Sequence, residues 1–483
     1  MRYADWSAVR QLANQAFSRA SGAPLREGNH VRLLKDAVEN YPAWLEAIAG
    51  ALRTIHFEMY ILDDDDQGRQ FADALIARAR AGVQVRLMYD WLGGFGKTSH
   101  RFWNRMRAGG VDVRCYNPPR LDRPFGWVSR DHRKVIIVDG AIAFVTGLCV
   151  GRAWVGDAAR DEDPWRDTGI EVRGPAVVDV EAAFAEAWDA AGTPLPDDES
   201  VLASAESMTV EGDVGLRVVA TVPNTAGLFR VDQLVAAMAT KTLWLTDAYF
   251  GGTTAYVQAL RAAAQDGVDV RLLVPGASDI PLIRPFSRAG YRPLLDAGVR
   301  VFEWNGSMIH AKTAVADGQW ARVGSTNLNI ASWMGNRELD VIVEHPPFAT
   351  QMEEMFLEDL TNATEVVLTK NRVRVPGAPV RQRSSTTRRG GSGGRVMAGA
   401  VRVGRTVAAA ITNTRVLESV EANIAVVSGL LLAALAVLTW VFPRAIAYPI
   451  AVIAAWLAIA LLYRGVELYR RGRGPVNPLP GDE

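Results

Sequence analysis

Cysteine is nearly absent: the 483 residues contain only Cys115 and Cys149. A disulfide-stapled scaffold is excluded, and so few thiols fit a reducing compartment. Lysine and histidine are scarce as well, six of each, so any patterned recurrence of either carries weight. The first seventeen residues contain Arg2, Asp5 and Arg10 but no apolar core, so no signal peptide is expected. Net charge is missing too, since 53 Lys and Arg balance 53 Asp and Glu. That zero is a cancellation. From residue 371 onward 15 Arg face 5 acidic residues, a balance of +10, which leaves 38 basic and 48 acidic residues over 1–370, a balance of −10. An acidic body argues against a polyanionic partner, so no nucleic acid is expected. With 49% apolar residues the chain can bury more than one core.

The tail reads as a membrane element. Residues 371–417 hold ten Arg, no Asp or Glu, and a Gly390-Gly391-Ser392-Gly393-Gly394 run, the composition of a flexible basic linker. An uncharged run from Ala422 to Pro443, a single Arg444 and a second uncharged run from Ala445 to Tyr463 follow. At ~1.5 Å per residue, each run is long enough to cross a hydrocarbon core. Arg402, Arg405 and Arg415 precede this hairpin, and Arg464, Arg470, Arg471 and Arg473 follow it. The positive-inside bias therefore puts both ends in the cytoplasm.

The body reads as a duplication. Gly-Val-x-Val recurs at Gly82, Gly110, Gly267 and Gly298, each time after a helix-like stretch: Phe71 to Ala81, His100 to Ala108, Thr254 to Asp266 and Arg288 to Ala297. Helix, glycine stop and short apolar strand are the parts of an α/β unit. Strands over Phe57 to Leu62 and Leu243 to Phe250 open the two sets. The expected layout is an N-terminal helix over 1–20, a first half over 21–195, a connector over 196–213 and a second half over 214–370. Beyond these come a linker with an amphipathic-helix candidate over 371–420, a transmembrane hairpin over 422–463 and a basic cytoplasmic tail over 464–483.

Each half carries the same constellation, His132-Arg133-Lys134 with Asp139 and His310-Ala311-Lys312 with Asp317, at identical spacing. With so few His and Lys, chance matches to H-x-K-x4-D are expected on the order of 0.005 times in such a chain. Alternation puts His and Lys on one face of a strand. A bound phosphodiester suits that pair: imidazole attacks phosphorus, lysine neutralises non-bridging oxygens, and a second imidazole protonates the leaving oxygen.

These motifs, with Gly324-Ser325-Thr326-Asn327 following the second, resemble the phospholipase D superfamily and, more narrowly, bacterial cardiolipin synthases of the branch without N-terminal membrane spans. The similar segments span roughly residues 25 to 345. The resemblance implies two duplicated α/β domains, mixed sheets flanked by helices, with the active site between them. It implies transfer of a phosphatidyl group between two phosphatidylglycerol molecules through a phosphohistidine, with no metal or cofactor, at the cytoplasmic face of the bacterial inner membrane. Carried over, His132 and His310 are nucleophile and general acid/base, while Lys134 and Lys312 bind phosphate. Glu338 and Asp167 are the carboxylates that orient the histidines, and Ser325, Asn327 and Gly147 line the substrate. Asp139 and Asp317 hold the loops that follow their strands. One departure is Cys149, where the first half of such synthases carries asparagine. A hydrolase using water as acceptor, a nuclease and an inert scaffold are the alternatives; the acidic body and the intact motifs weigh against the last two.

Weaker signals receive plainer readings. Gly93 to Thr98 resembles a phosphate-binding loop but has Trp91 where its first glycine belongs, so it reads as an ordinary loop. Asp63 to Asp66 reads as a solvated turn. Arg120, Arg123 and Arg130 either grip anionic headgroups or form a solvated basic loop. Trp154 and Trp333 either line an acyl groove or pack.

Overall fold

The computed structural model describes residues 6–120, 128–196, 208–279, 287–288, 290–369 and 372–374, with isolated helical positions between 448 and 462. The expected linker and nearly all of the expected hairpin and tail lie outside the described residues. Among those described, no helix is long and apolar enough to cross a membrane.

Seven strands of the first half are β1 (Arg26–Lys35), β2 (Thr54–Met59), β3 (Gln84–Asp90), β4 (Asp112–Tyr116), β5 (Lys134–Val138), β6 (Ile142–Thr146) and β7 (Thr168–Arg173). Their counterparts are β8 (Val214–Thr221), β9 (Thr242–Asp247), β10 (Asp269–Pro275), β11 (Arg300–Trp304), β12 (Lys312–Ala316), β13 (Trp320–Gly324) and β14 (Glu338–Val343). Two further strands, β15 (Ala363–Thr369) and β16 (Arg372–Arg374), extend the second half. Outward from the centre the order is β1-β7-β6-β5-β2-β3-β4 on one side and β8-β14-β13-β12-β9-β10-β11 on the other. The orders are the same, so the duplication is structural, and β1 pairs antiparallel with β8 across the join. Strands β2, β3 and β4 run parallel, as do β9, β10 and β11, while the rest pair antiparallel, giving a mixed sheet.

The four glycine stops have one geometry. Gly82, Gly110, Gly267 and Gly298 all have φ between 93° and 95°, a left-handed conformation that favours glycine. In each case the following valine donates to the carbonyl five residues back: Val83 to Arg78, Val111 to Met106, Val268 to Ala263 and Val299 to Leu294. This Schellman closure satisfies the last helix carbonyls and turns the chain into the next strand. The stretch expected as a helix over 288–297 is shorter, Arg292–Leu295. Pro293, which has no N–H and fits only a first turn, prevents a helix from running through it.

Alternation along the strands sorts the core. Val135, Ile137, Ala143 and Val145 join a cluster with Phe184, Trp188, Phe348, Met352 and Phe356, on the helices Val177–Ala191 and Pro346–Thr361. That cluster draws on both halves. Ile136, Val138 and Phe144 face the other way, onto the helices Asp36–Gly50, Asp66–Arg80 and His100–Ala108. The second half repeats this second layer with Trp6–Ser21, Gly227–Met238 and Thr254–Gln265. Both sheet faces are therefore covered, which is why these strands read as continuous apolar runs.

One buried histidine lies in this core. His56 on β2 stacks on Phe184 with ring centroids 4.5 Å apart, and its Nδ1 is 3.5 Å from Glu181. Burial, with the Arg86 guanidinium nearby, pushes it down to about 4. The unfolded chain takes up a proton near pH 6.5 that the folded chain refuses until about pH 4, so stability falls as pH drops through that window. His56→Phe is expected to remove on the order of 2 kcal/mol of that loss. Urea midpoints at pH 7 and pH 4.5 check it; an equal decline in both proteins would refute the assignment.

Candidate active site

Lys134 and Lys312 open β5 and β12, and register pairs them with Met59 and Asp247 at the C-terminal ends of β2 and β9. The motif aspartates lie at the far end of the same strands, about 16 Å away at the usual rise. Asp139-Gly140 and Asp317-Gly318 all have φ between 54° and 65°, the Asp-Gly hairpin turn. The Asp139 carboxylate accepts the N–H groups of Leu52, Arg53 and Thr54, and Asp317 those of Thr240, Lys241 and Thr242. They therefore fasten the turns that enter the neighbouring strands β2 and β9, not the loops after their own strands. The lysine and the four residues of the gap together make the five-residue strand.

At the lysine end the halves interlock. His132 N donates to Arg337 O at 2.9 Å and Arg337 N to Arg130 O at 2.8 Å. Symmetrically, Arg166 N donates to Met308 O at 2.9 Å and His310 N to Arg166 O at 2.7 Å. These two short parallel bridges set Glu338 beside His132 and Asp167 beside His310. His132 Nδ1 lies 2.9 Å from Glu338 Oε2, and His310 Nδ1 lies 2.7 Å from Asp167 Oδ2. Each carboxylate thus serves the histidine of the other half. A carboxylate accepting from Nδ1–H leaves the lone pair on Nε2.

Each carboxylate is held in turn. Glu338 accepts from Ser325 Oγ at 2.7 Å and Asn336 Nδ2 at 3.2 Å. Asp167 accepts from Trp154 Nε1 at 3.0 Å and from Thr168 N at 2.9 Å. The Ser325 hydroxyl has a single hydrogen and gives it to Glu338, so Ser325 supports the carboxylate instead of reaching toward a substrate. Its counterpart Gly147 has no room for a side chain, because a Cβ there would come within 2.2 Å of Asp167 Oδ1. The Gly147 N–H is taken by Thr168 O. Asn327 has a 3.5 Å contact from Nδ2 to Ser332 Oγ, and its buried Oδ1 has no hydrogen-bond partner among the described residues. Cys149, at the position matching Asn327, is also buried, and its carbonyl accepts from Tyr41 Oη at 2.7 Å.

The electrostatics follow from burial. His132, Lys134, His310 and Lys312 are each no more than 3% exposed. Burial, opposed by Glu338 and reinforced by the lysines, brings His132 down to about 4; His310, with Lys312 and Lys134 nearby, falls to about 3. Burial also lowers Lys134, and it takes Lys312 to about 8. Burial alone would raise Glu338 and Asp167, yet their histidines and the lysines bring both below the usual carboxylate range. Both lysines donate to the carbonyl of the histidine two residues back. Lys312 Nζ is also 2.9 Å from His310 Nδ1. A ring nitrogen donating to Asp167 has no lone pair to accept, so this is a close approach and not a second hydrogen bond.

Two tyrosines beside the histidines belong to no motif of the sequence. Tyr60, one residue past β2, stands edge-on to His132 at 4.8 Å with Lys134 Nζ 5.0 Å above its ring. Tyr249, two residues past β9, stands edge-on to His310 at 5.8 Å with Lys312 Nζ at 6.0 Å. Their signal was the aromatic residue just after the opening strand of each half. Trp154 and Trp333 are buried and bind the carboxylates of Asp167 and Asp232, which excludes an acyl groove for either. Arg130 is buried against Asp90 at 3.1 Å, so it is no mouth residue. In the acidic turn, Asp63 is largely buried and pushed up to about 6, while Asp65 caps the helix Asp66–Arg80 through Gly68 N.

The family model described as the PLD-like domain of cardiolipin synthase matches residues 44–152 and 235–360. The cardiolipin synthase of Alkalihalophilus pseudofirmus is 33% identical over 369 residues, covering 75% of this chain and 72% of its own. Cardiolipin synthase A of Pseudomonas aeruginosa PAO1 is 34% identical over 368 residues, 74% and 73% of the two chains. The solved structure of Haemophilus influenzae phosphatidylserine synthase matches at TM-score 0.57 and 13% identity, over 73% of this chain and 91% of that one, a likeness of fold. With its duplicated sheet and paired histidine–lysine motifs, this chain belongs to the phospholipase D-like cardiolipin synthases, the phosphatidyltransferases of that superfamily.

Proposed function

We propose that this enzyme makes cardiolipin from two phosphatidylglycerol molecules by way of a phosphatidyl-histidine. The observation that carries the reading is the pair of buried imidazoles, each held through Nδ1 by a carboxylate of the opposite half and accompanied by a buried lysine. Nε2 of one histidine attacks phosphorus, the phosphorus–nitrogen bond forms, and the bond to the glycerol headgroup breaks. The other imidazole gives its proton to the departing glycerol oxygen. It then takes the proton from the hydroxyl of a second phosphatidylglycerol, which attacks phosphorus and releases the histidine. Lys134 and Lys312 balance the phosphate oxygens, and Asn327 supplies an amide donor. In the empty site both imidazoles are neutral near pH 7; an anionic phosphodiester offsets the lysine charges and allows one to carry a proton.

The tail completes the reading. The 422–463 hairpin anchors the chain, with the body on the cytoplasmic face. The basic linker is drawn to anionic headgroups at about 1 kcal/mol per arginine near the surface. Proteoliposomes containing the full chain and phosphatidylglycerol are expected to yield cardiolipin and free glycerol, with EDTA making no difference. Phosphatidic acid as the sole lipid product would make water the acceptor and the protein a hydrolase. Deletion of 371–483 is expected to release the body from membranes; a body that stays bound requires another anchor.

A further inference from the structure

One loop beside the site takes no part in this chemistry. Trp91 to Thr98 follows β3, opens with the single helical turn Trp91–Gly94 and precedes the helix His100–Ala108. The Asp90 carboxylate fixes its start by accepting from Leu92 N at 2.9 Å and Gly93 N at 3.1 Å. The same carboxylate accepts from Asp131 N at 2.9 Å, one residue before His132. Gly93 presses on the chain at Tyr60, where a Cβ would stand 1.8 Å from the carbonyl oxygen. Lys97 N closes the loop on Gly94 O at 3.1 Å. The loop is a built structure, hung from the same groups that place His132.

Its tip is aromatic and faces outward. Phe95 is 61% exposed, Trp91 is half-buried, and their rings lie 5.0 Å apart. A lone exposed apolar residue needs no explanation. This pair is different because of where it stands. Phe95 is two residues from Gly93, a reach of about 7 Å, and Gly93 touches Tyr60, whose ring is 4.8 Å from that of His132. A bilayer phospholipid carries its phosphate a short distance above its acyl chains. The rim nearest His132 must therefore come down to headgroup depth for the phosphorus to arrive. Aromatic rings favour that depth.

We infer that the Trp91–Phe95 tip is a lipid contact, entering the headgroup layer and holding the mouth of the site against the bilayer. This rests on the phospholipid reading above. The test uses the full chain in phosphatidylcholine proteoliposomes, with phosphatidylglycerol supplied either as long-chain lipid in the bilayer or as a water-soluble short-chain form. Phe95→Ser is expected to lower kcat/KM on the bilayer substrate roughly tenfold, the magnitude of one lost apolar side chain. It should leave the soluble substrate unchanged, and Phe95→Trp should restore the bilayer rate. Equal losses on both substrates would make Phe95 structural and overturn the inference, as would no loss on either. A Phe95-dependent dimer in lipid-free detergent would assign the tip to a second copy instead. If the unaltered chain turns over neither form, the phospholipid reading fails, and the inference fails with it.

Discussion

Alanine at His132 or at His310 is expected to lower cardiolipin formation at least ten-thousand-fold, roughly the scale of losing a nucleophile or its acid/base partner. The two losses differ in kind. Without the nucleophile no phosphorus–nitrogen bond forms at all. Without the acid, the bond to phosphorus still forms if the leaving group departs unprotonated. A phosphatidyl ester of p-nitrophenol supplies such a leaving group, so one alanine variant should release nitrophenolate in a burst and retain lipid covalently. The other should do neither. The burst names the attacking histidine, which near-symmetric motifs leave open. Full turnover in both variants would remove the two-histidine mechanism altogether.

Glu338→Gln and Asp167→Asn should each cost about a thousandfold in kcat with little change in KM, because an amide no longer fixes the tautomer or supports the imidazolium. The crossed geometry sharpens this. His132 is held by Glu338 and His310 by Asp167. With the nitrophenyl ester, only the nucleophile and its own carboxylate are needed for the burst. If His132 attacks, Glu338→Gln must slow the burst and Asp167→Asn must spare it; if His310 attacks, the order reverses. A burst slowed by the carboxylate of the nucleophile's own half would contradict the pairing. Loss confined to KM would reduce both carboxylates to substrate contacts.

How much of this could be read from the chain depends on whether the signal is local. Four Gly-Val-x-Val stops mark helix ends because left-handed glycine geometry is decided within six residues. The histidine–lysine pairs are legible from their repeated spacing, although each histidine lies two residues before the strand that its lysine opens, and not within it. The partner of each histidine was not legible, since a spacing of eleven residues from Asn327 to Glu338 carries no information about which half Glu338 faces. Ser325 and Gly147 illustrate the same limit. Both occupy one motif position, yet Ser325 supports a glutamate, whereas beside the shorter, closely packed Asp167 only glycine fits. Tyr60 and Tyr249 were overlooked because an aromatic residue at a strand end looks like core until its neighbour is known to be a histidine.

The crossed bonds make activity a property of association. Each half holds an imidazole whose carboxylate partner lies in the other half. A half expressed alone would be inert and would expose its share of the common core. Two inert halves would regain turnover only on meeting, at a rate set by their concentration product. Covalent continuity between the halves replaces that encounter with a fixed local concentration, so a chain cut between residues 197 and 207 and diluted until its halves part should lose specific activity.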